Sequence, residues 1–163
     1  APTINALSAA AIGTNGSLSG RLLPIGQPAE LEAFEADQSL LMRTHGYEDR
    51  FGVVLERSIT LMAEGKTLVG QDKFIQSRRV SGACAIRFHL AHQTEVQDAT
   101  DLLRLKLASG AVWTFLWEGA DMRIEDSVRQ SAYFGFHRTR QIVLEAHVAD
   151  APEISWIFTL EEG

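Results

Sequence analysis

Residues 51–74 read FGVVLERSITLMAEGKTLVGQDKF, and their pattern decides the fold. Val53, Leu55, Ile59 and Leu61 alternate with Glu56, Ser58, Thr60 and Met62, a period of two that makes a strand with one buried face. Glu64-Gly65 follows, and Gly supplies the positive φ that a tight hairpin needs. Leu68, Gly70 and Phe74 then alternate with Val69, Gln71 and Lys73. A two-residue loop at Glu64-Gly65 sets Leu61 opposite Leu68, Ile59 opposite Gly70, and Arg57 opposite Asp72. The last two are charges on an otherwise apolar face. A buried charge is costly alone and tolerable when paired and hydrogen-bonded, so the spacing predicts an inward Arg57–Asp72 pair.

Working outward, the same alternation recurs. Residues 30–35 and 39–44 form two short strands around Ala36-Asp37-Gln38, and His45-Gly46-Tyr47 turns into the hairpin. Residues 76–82, with Arg78 and Arg79, make a basic loop. Cys84, Ile86, Phe88 and Leu90 share one strand face and leave Arg87 and His89 on the other. Leu103, Leu105 and Leu107 alternate with Arg104 and Lys106. Residues 112–117 are nearly all apolar and suit a strand covered on both faces. Ile142, Leu144, Ala146 and Val148 repeat the pattern, as do Ile154, Trp156, Phe158 and Leu160. This is an all-β chain of about ten short strands, and two antiparallel sheets packed face to face bury one side of each. With 163 residues, it fits a single β-sandwich domain. Residues 1–27, rich in Ala, Ser, Gly and Asn, are expected to be loosely structured or an edge segment.

Composition narrows the function. A net charge of −6 disfavours nucleic acid and an anionic membrane surface as partners, and no stretch is long and apolar enough to span a bilayer. The single Cys84 excludes an internal disulfide and a cysteine-based metal cluster; within an apolar run it reads as a small buried hydrophobe. His89 and His92 have the wrong parity for two ligands from one strand, and Glu95 and Asp98 fall in a loop, so no metal site and no cofactor are expected. No nucleophile elbow and no phosphate-cradling glycine loop appears.

Taken in order, the residues resemble a known family. His45-Gly46-Tyr47, Phe51-Gly52, Glu56-Arg57, Gly65, Leu68-Val69-Gly70, Asp72 and Arg87-Phe88-His89-Leu90 resemble the carboxyl-terminal part of the heparinase II/III-like proteins. Val112-Trp113, Phe115, Glu125, Ser127-Val128, Thr139-Arg140-Gln141-Ile142-Val143 and Trp156-Ile157-Phe158 extend the likeness. The family consists largely of bacterial polysaccharide lyases. The resemblance implies an upstream α/α toroid and β-elimination at a uronic acid: a Tyr/His pair handles the protons and a neutralising group stabilises the carbanion-like intermediate. It also implies a periplasmic or secreted protein, although no leader is legible here. The family's histidine-rich H-x-H-x-x-D motif is absent, no His precedes His45, and Ala91-His92 stands where the family often has His and Pro. The expectation is therefore the distal portion of a two-domain lyase: a scaffold or wall of the substrate cleft with no catalytic residues of its own. Its partners would be the toroid and, through the parent enzyme, an acidic polysaccharide.

Four side chains are candidates for that contact. Arg87 and His89 share a strand face about 7 Å apart and suit a sugar carboxylate, the toroid or plain solvent. Arg138 and Arg140, with His137 near Tyr133 and Phe136, form a basic patch whose guanidinium forks match carboxylate or sulfate. Trp113 and Trp117 share a face with Phe115; they are read as core, with a stand-alone carbohydrate-binding module as the alternative. His45 and Tyr47 are read as turn residues. A non-catalytic interaction domain is a further alternative, and a face shaped for a toroid can also pair with itself as a homodimer.

Overall fold

The computed structural model describes residues 2–8, 10–12, 22–24, 29–131 and 135–161. In chain order the strands are β1 (Thr3–Ile4), β2 (Ala10–Ile12), β3 (Leu22–Pro24), β4 (Glu30–Phe34), β5 (Ser39–Tyr47), β6 (Val53–Met62) and β7 (Thr67–Gln76). They continue with β8 (Ala83–His89), β9 (Glu95–Ala99), β10 (Leu102–Lys106), β11 (Val112–Glu118), β12 (Asp121–Ser131), β13 (Gly135–His147) and β14 (Glu153–Leu160). One short helix, α1 (Glu48–Phe51), lies between β5 and β6. An eight-stranded antiparallel sheet runs β4-β5-β6-β7-β14-β11-β10-β9 and faces a four-stranded sheet ordered β1-β8-β13-β12; β2 and β3 pair separately. The expected all-β sandwich of two packed sheets is the fold. Within residues 1–27, β1 closes one edge of the small sheet and β2 pairs with β3, while residues 1, 9, 13–21 and 25–27 lie outside the described residues.

The core fills the space between the sheets. Cys84, Ile86, Ile142 and Leu144 from the small sheet meet Val53, Leu55, Phe74, Leu103, Leu105, Phe115, Ile154 and Trp156 from the large one. Phe88 is the small sheet's wedge: its ring lies 5.5 Å from Phe115, 4.9 Å from Trp156 and 5.6 Å from Phe158, at tilts that aromatic quadrupoles favour. Cys84 is fully buried and burial pushes its thiol up to about 11, so the thiolate that reacts or binds metal is suppressed at neutral pH.

The β6–β7 hairpin pairs Leu61 with Leu68, Ile59 with Gly70 and Arg57 with Asp72. Glu64 and Gly65 both have positive φ, 55° and 89°, and the Lys66 N–H donates to the Ala63 carbonyl at 3.1 Å. The ladder stops at Met62 and Thr67 and Ala63 also has a positive φ of 50°, so the loop is residues 63–66, with a tight turn at Glu64-Gly65 that keeps the register expected of a two-residue loop. Arg57 Nε and Nη2 grip the two Asp72 oxygens at 2.7 and 3.0 Å. The Trp156 indole N–H adds a third bond to Asp72 at 2.9 Å, and the Arg57 guanidinium lies 5.8 Å from the Trp156 ring centroid.

Three local expectations are corrected. Residues 45–47 belong to β5 rather than a turn: a register shift between Thr44 and Tyr47 resets the pleat, and Tyr47 is buried with its hydroxyl donating to the Pro2 carbonyl at 2.7 Å. Glu95 and Asp98 lie in β9, an edge strand that needs no apolar face of its own. The β11 strand is covered on one face only: Trp113, Phe115 and Trp117 pack toward the core while Leu116 is 41% exposed on the other side.

A polar face on the small sheet

Opposed residues of antiparallel strands share a face, so the register maps the outer side of the small sheet. Arg87 lies opposite Val143, and His89 opposite Gln141. On the far side of β13, Val143 faces Arg123, Gln141 faces Glu125 and Thr139 faces Ser127. These residues share one face, where local hydrogen bonds tie neighbouring strands together. Arg87 Nη1 donates to Thr3 Oγ1 at 2.7 Å. His89 Nδ1 and Ser127 Oγ lie 3.0 Å apart. Gln141 Nε2 donates to Glu125 Oε2 at 2.9 Å. Arg123 reaches Glu125 at 2.7 Å and Glu145 at 3.1 Å. Val143 and Ala85 are buried on this same outer side, and Gln141 nearly so, which gives the platform a desolvated floor beneath an exposed His89.

That floor shows in the electrostatics. Partial burial pushes the His89 imidazole below its ordinary value, and the Arg87 charge adds to the shift. Arg123, then Gln141, hold the Glu125 carboxyl below the usual carboxylate range. For His89 the sign runs one way: the fold favours the neutral ring, so its contribution to stability is complete above the ordinary pKa of about 6.5 and declines as pH falls through and below it. Proton NMR should give His89 a titration midpoint below that of histidine in the unfolded chain, and Arg87→Ala should return it part of the way. A midpoint at or above the ordinary value would contradict the geometry.

The other candidates are placed elsewhere. Arg138 and Arg140 lie opposite Val128 and Asp126, on the opposite face of β13 from Arg87 and His89, beyond the core-facing Ile142 and Leu144. Both are exposed, near Val128 at 59% and Phe136 at 75% exposure. His137 points to the other face, its ring 4.8 Å from that of His92. Tyr133 lies outside the described residues. The structure therefore brings Arg87 and His89 together, and Arg138 with Arg140, as two separate surfaces. Ser127, Gln141, Glu125 and Thr3 join the first surface from three other strands, and spacing within one strand carries no sign of them. Trp113 lines an apolar cleft of about 480 Å³ at the open end of the sandwich, with Leu61, Leu68, Phe88, Leu105 and Phe158. No group of three or more His, Cys, Asp or Glu able to hold a metal occurs among the described residues, and no described helix is long and apolar enough to cross a membrane.

Comparison with known proteins agrees with this architecture. No curated protein sequence matches the chain. Among solved structures, heparinase III superposes with a TM-score of 0.68 at 11% identity, covering 90% of this chain and 23% of that one. Heparan sulfate lyase HepC from Pedobacter heparinus gives a TM-score of 0.68 at 13% identity, with the same coverages. At such identities the likeness is one of fold, and the chain spans 23% of the length of those enzymes. The family model described as "Heparinase II/III-like, C-terminal" matches residues 3–157, nearly the whole chain, and the protein belongs to that family.

Proposed function

We propose that this domain is the carboxyl-terminal β-sandwich of a polysaccharide lyase that cleaves uronic-acid-containing glycans by β-elimination, and that it contributes structure and cleft surface rather than proton-transfer groups. The family match over residues 3–157 carries the reading. The small sheet supplies the glycan-facing surface. Arg87, anchored by Thr3, presents a fixed cation beside the neutral His89 and the amide of Gln141, a set suited to a carboxylate or sulfate and its neighbouring hydroxyls. An upstream α/α toroid would complete the site and bring the acid and base. Arg138 and Arg140, on the opposite face, are a second contact surface for the same polyanion.

Two measurements test this. Incubated with heparan sulfate, the chain alone should yield no unsaturated uronate absorbing in the ultraviolet; such a product would overturn the scaffold role. Calorimetric titration with heparan sulfate oligosaccharides should show salt-sensitive binding that Arg87→Ala weakens severalfold. Binding that survives loss of Arg87 but disappears with Trp113→Ala would instead favour an independent module built on the apolar cleft.

A further inference from the structure

Among the described residues the two packed sheets have four edges, which are not equally protected. β4 and β9 are five residues each and β1 is two. β4 carries Glu30 and Glu32 on one side, so self-pairing about its centre would oppose Glu32 to itself. β9 turns Asp98 toward the core side, opposite Leu103. Short strands and inward charges are the usual devices against edge-to-edge association. β12 is the longest of the four: it runs eleven residues without proline, DMRIEDSVRQS, pairs with β13 without a register shift, and its one charge on the core side, Asp126, is matched across the ladder by Arg140 of β13. Among the described residues no strand lies on its other side.

We propose that the free edge of β12 is a homodimer interface, where a second copy of this chain pairs antiparallel about a twofold axis at Ile124. A twofold axis perpendicular to the sheet keeps outer faces together, so only residues of equal parity can oppose each other. Centring on Arg123 would oppose Arg123 to itself, and centring on Glu125 or Asp126 would oppose like carboxylates, each unfavourable. Centring on Ile124 sets Arg123 against the partner's Glu125 twice. It also sets Ile124 against its own copy, Met122 against the partner's Asp126, Asp121 against the partner's Ser127, and exposed Val128 against the partner's Ala120. Arg123 and Glu125 already touch within one chain at 2.7 Å, so dimerisation joins two such pairs into a four-membered ring of alternating charge. The charge pattern thus opposes the registers centred on Arg123, Glu125 and Asp126; centring on Met122 (Asp121 against Arg123) or Ser127 (Glu125 against Arg129) also joins opposite charges, and the Arg123/Glu125 exchange and the Ile124 cross-link are what single out the Ile124 register. The two small sheets become one eight-stranded layer, and the polar platforms of both copies lie on the same side of it.

Sedimentation analysis from micromolar to submillimolar protein tests this. The expected result is a concentration-dependent species of twice 18.0 kDa. Arg123→Glu should weaken association about tenfold or more, and Arg123→Glu with Glu125→Arg should restore it. Circular dichroism melts of each variant separate lost pairing from lost folding. Ile124→Cys, oxidised under native conditions, should cross-link to its own copy, because Cα atoms opposed across antiparallel strands lie within disulfide reach. A monomer throughout the range, or a dimer indifferent to both the charge exchange and the cross-link, would overturn the proposal.

Discussion

Asp72→Ala should destabilise the domain by about 3–5 kcal/mol, the usual cost of removing one partner of a buried ion pair, and lower its melting temperature by roughly 10 °C for a chain of this size. Asp72 is fully buried and accepts three hydrogen bonds. Its loss leaves both the Arg57 fork and the Trp156 indole N–H without an acceptor in the core, each a desolvated donor. Arg57→Ala should also cost several kcal/mol, about as much, because it leaves the fully buried Asp72 carboxylate with the Trp156 N–H as its remaining donor. Glu56→Ala, one residue along on the outer face of the sheet and paired with the more exposed Arg43, leaves no charge in the core and should cost about 1 kcal/mol. Urea unfolding of the three variants orders them, and equal midpoints for Arg57→Ala and Glu56→Ala would show that the pair does not support the core.

Gly70→Ala is the second large effect expected, about 3 kcal/mol or more. Gly70 lies directly across from Trp156 in the β7–β14 pairing, and a methyl group there would fall inside the indole ring. The ring has nowhere to go: Asp72 holds its nitrogen, Phe88 meets its edge at 4.9 Å, and Arg57 lies beside it. Overpacking so constrained a core forces strained rotamers or a shifted strand. Gly65→Ala provides the contrast. Its methyl meets nothing within 4 Å, so only the positive φ is strained, at about 1 kcal/mol. Tryptophan fluorescence during unfolding reports both; a Gly70→Ala protein as stable as Gly65→Ala would mean that the indole moves freely.

What the sequence disclosed depended on how local the cause was. Ile154, Trp156 and Phe158 alternate because β14 buries one face, and that period is legible without coordinates. The register of β6 with β7 followed from one turn, since Glu64-Gly65 admits few geometries. Tyr47 escaped because an irregularity two residues earlier shifts its parity, and β9 escaped because an edge strand has little apolar signal. The polar platform was half visible. Arg87 and His89 share a face by pleat alone, but Gln141, Glu125 and Ser127 join them through two further strand registers that no local pattern encodes. The same registers separate Arg138 and Arg140 from Arg87 and His89, although all four are arginines or histidines on neighbouring strands.

The position of β14 has a consequence for how the polypeptide is made. The last of the described strands occupies the middle of the large sheet, between β7 and β11, and brings Trp156 to Asp72. Until residues 153–160 emerge from the ribosome, β4–β7 and β9–β11 are two half-layers with raw inner margins and an acceptor waiting for its donor. Assembly of the large sheet therefore waits for residues 153–160, and the two half-layers keep unpaired inner margins until that segment docks between them.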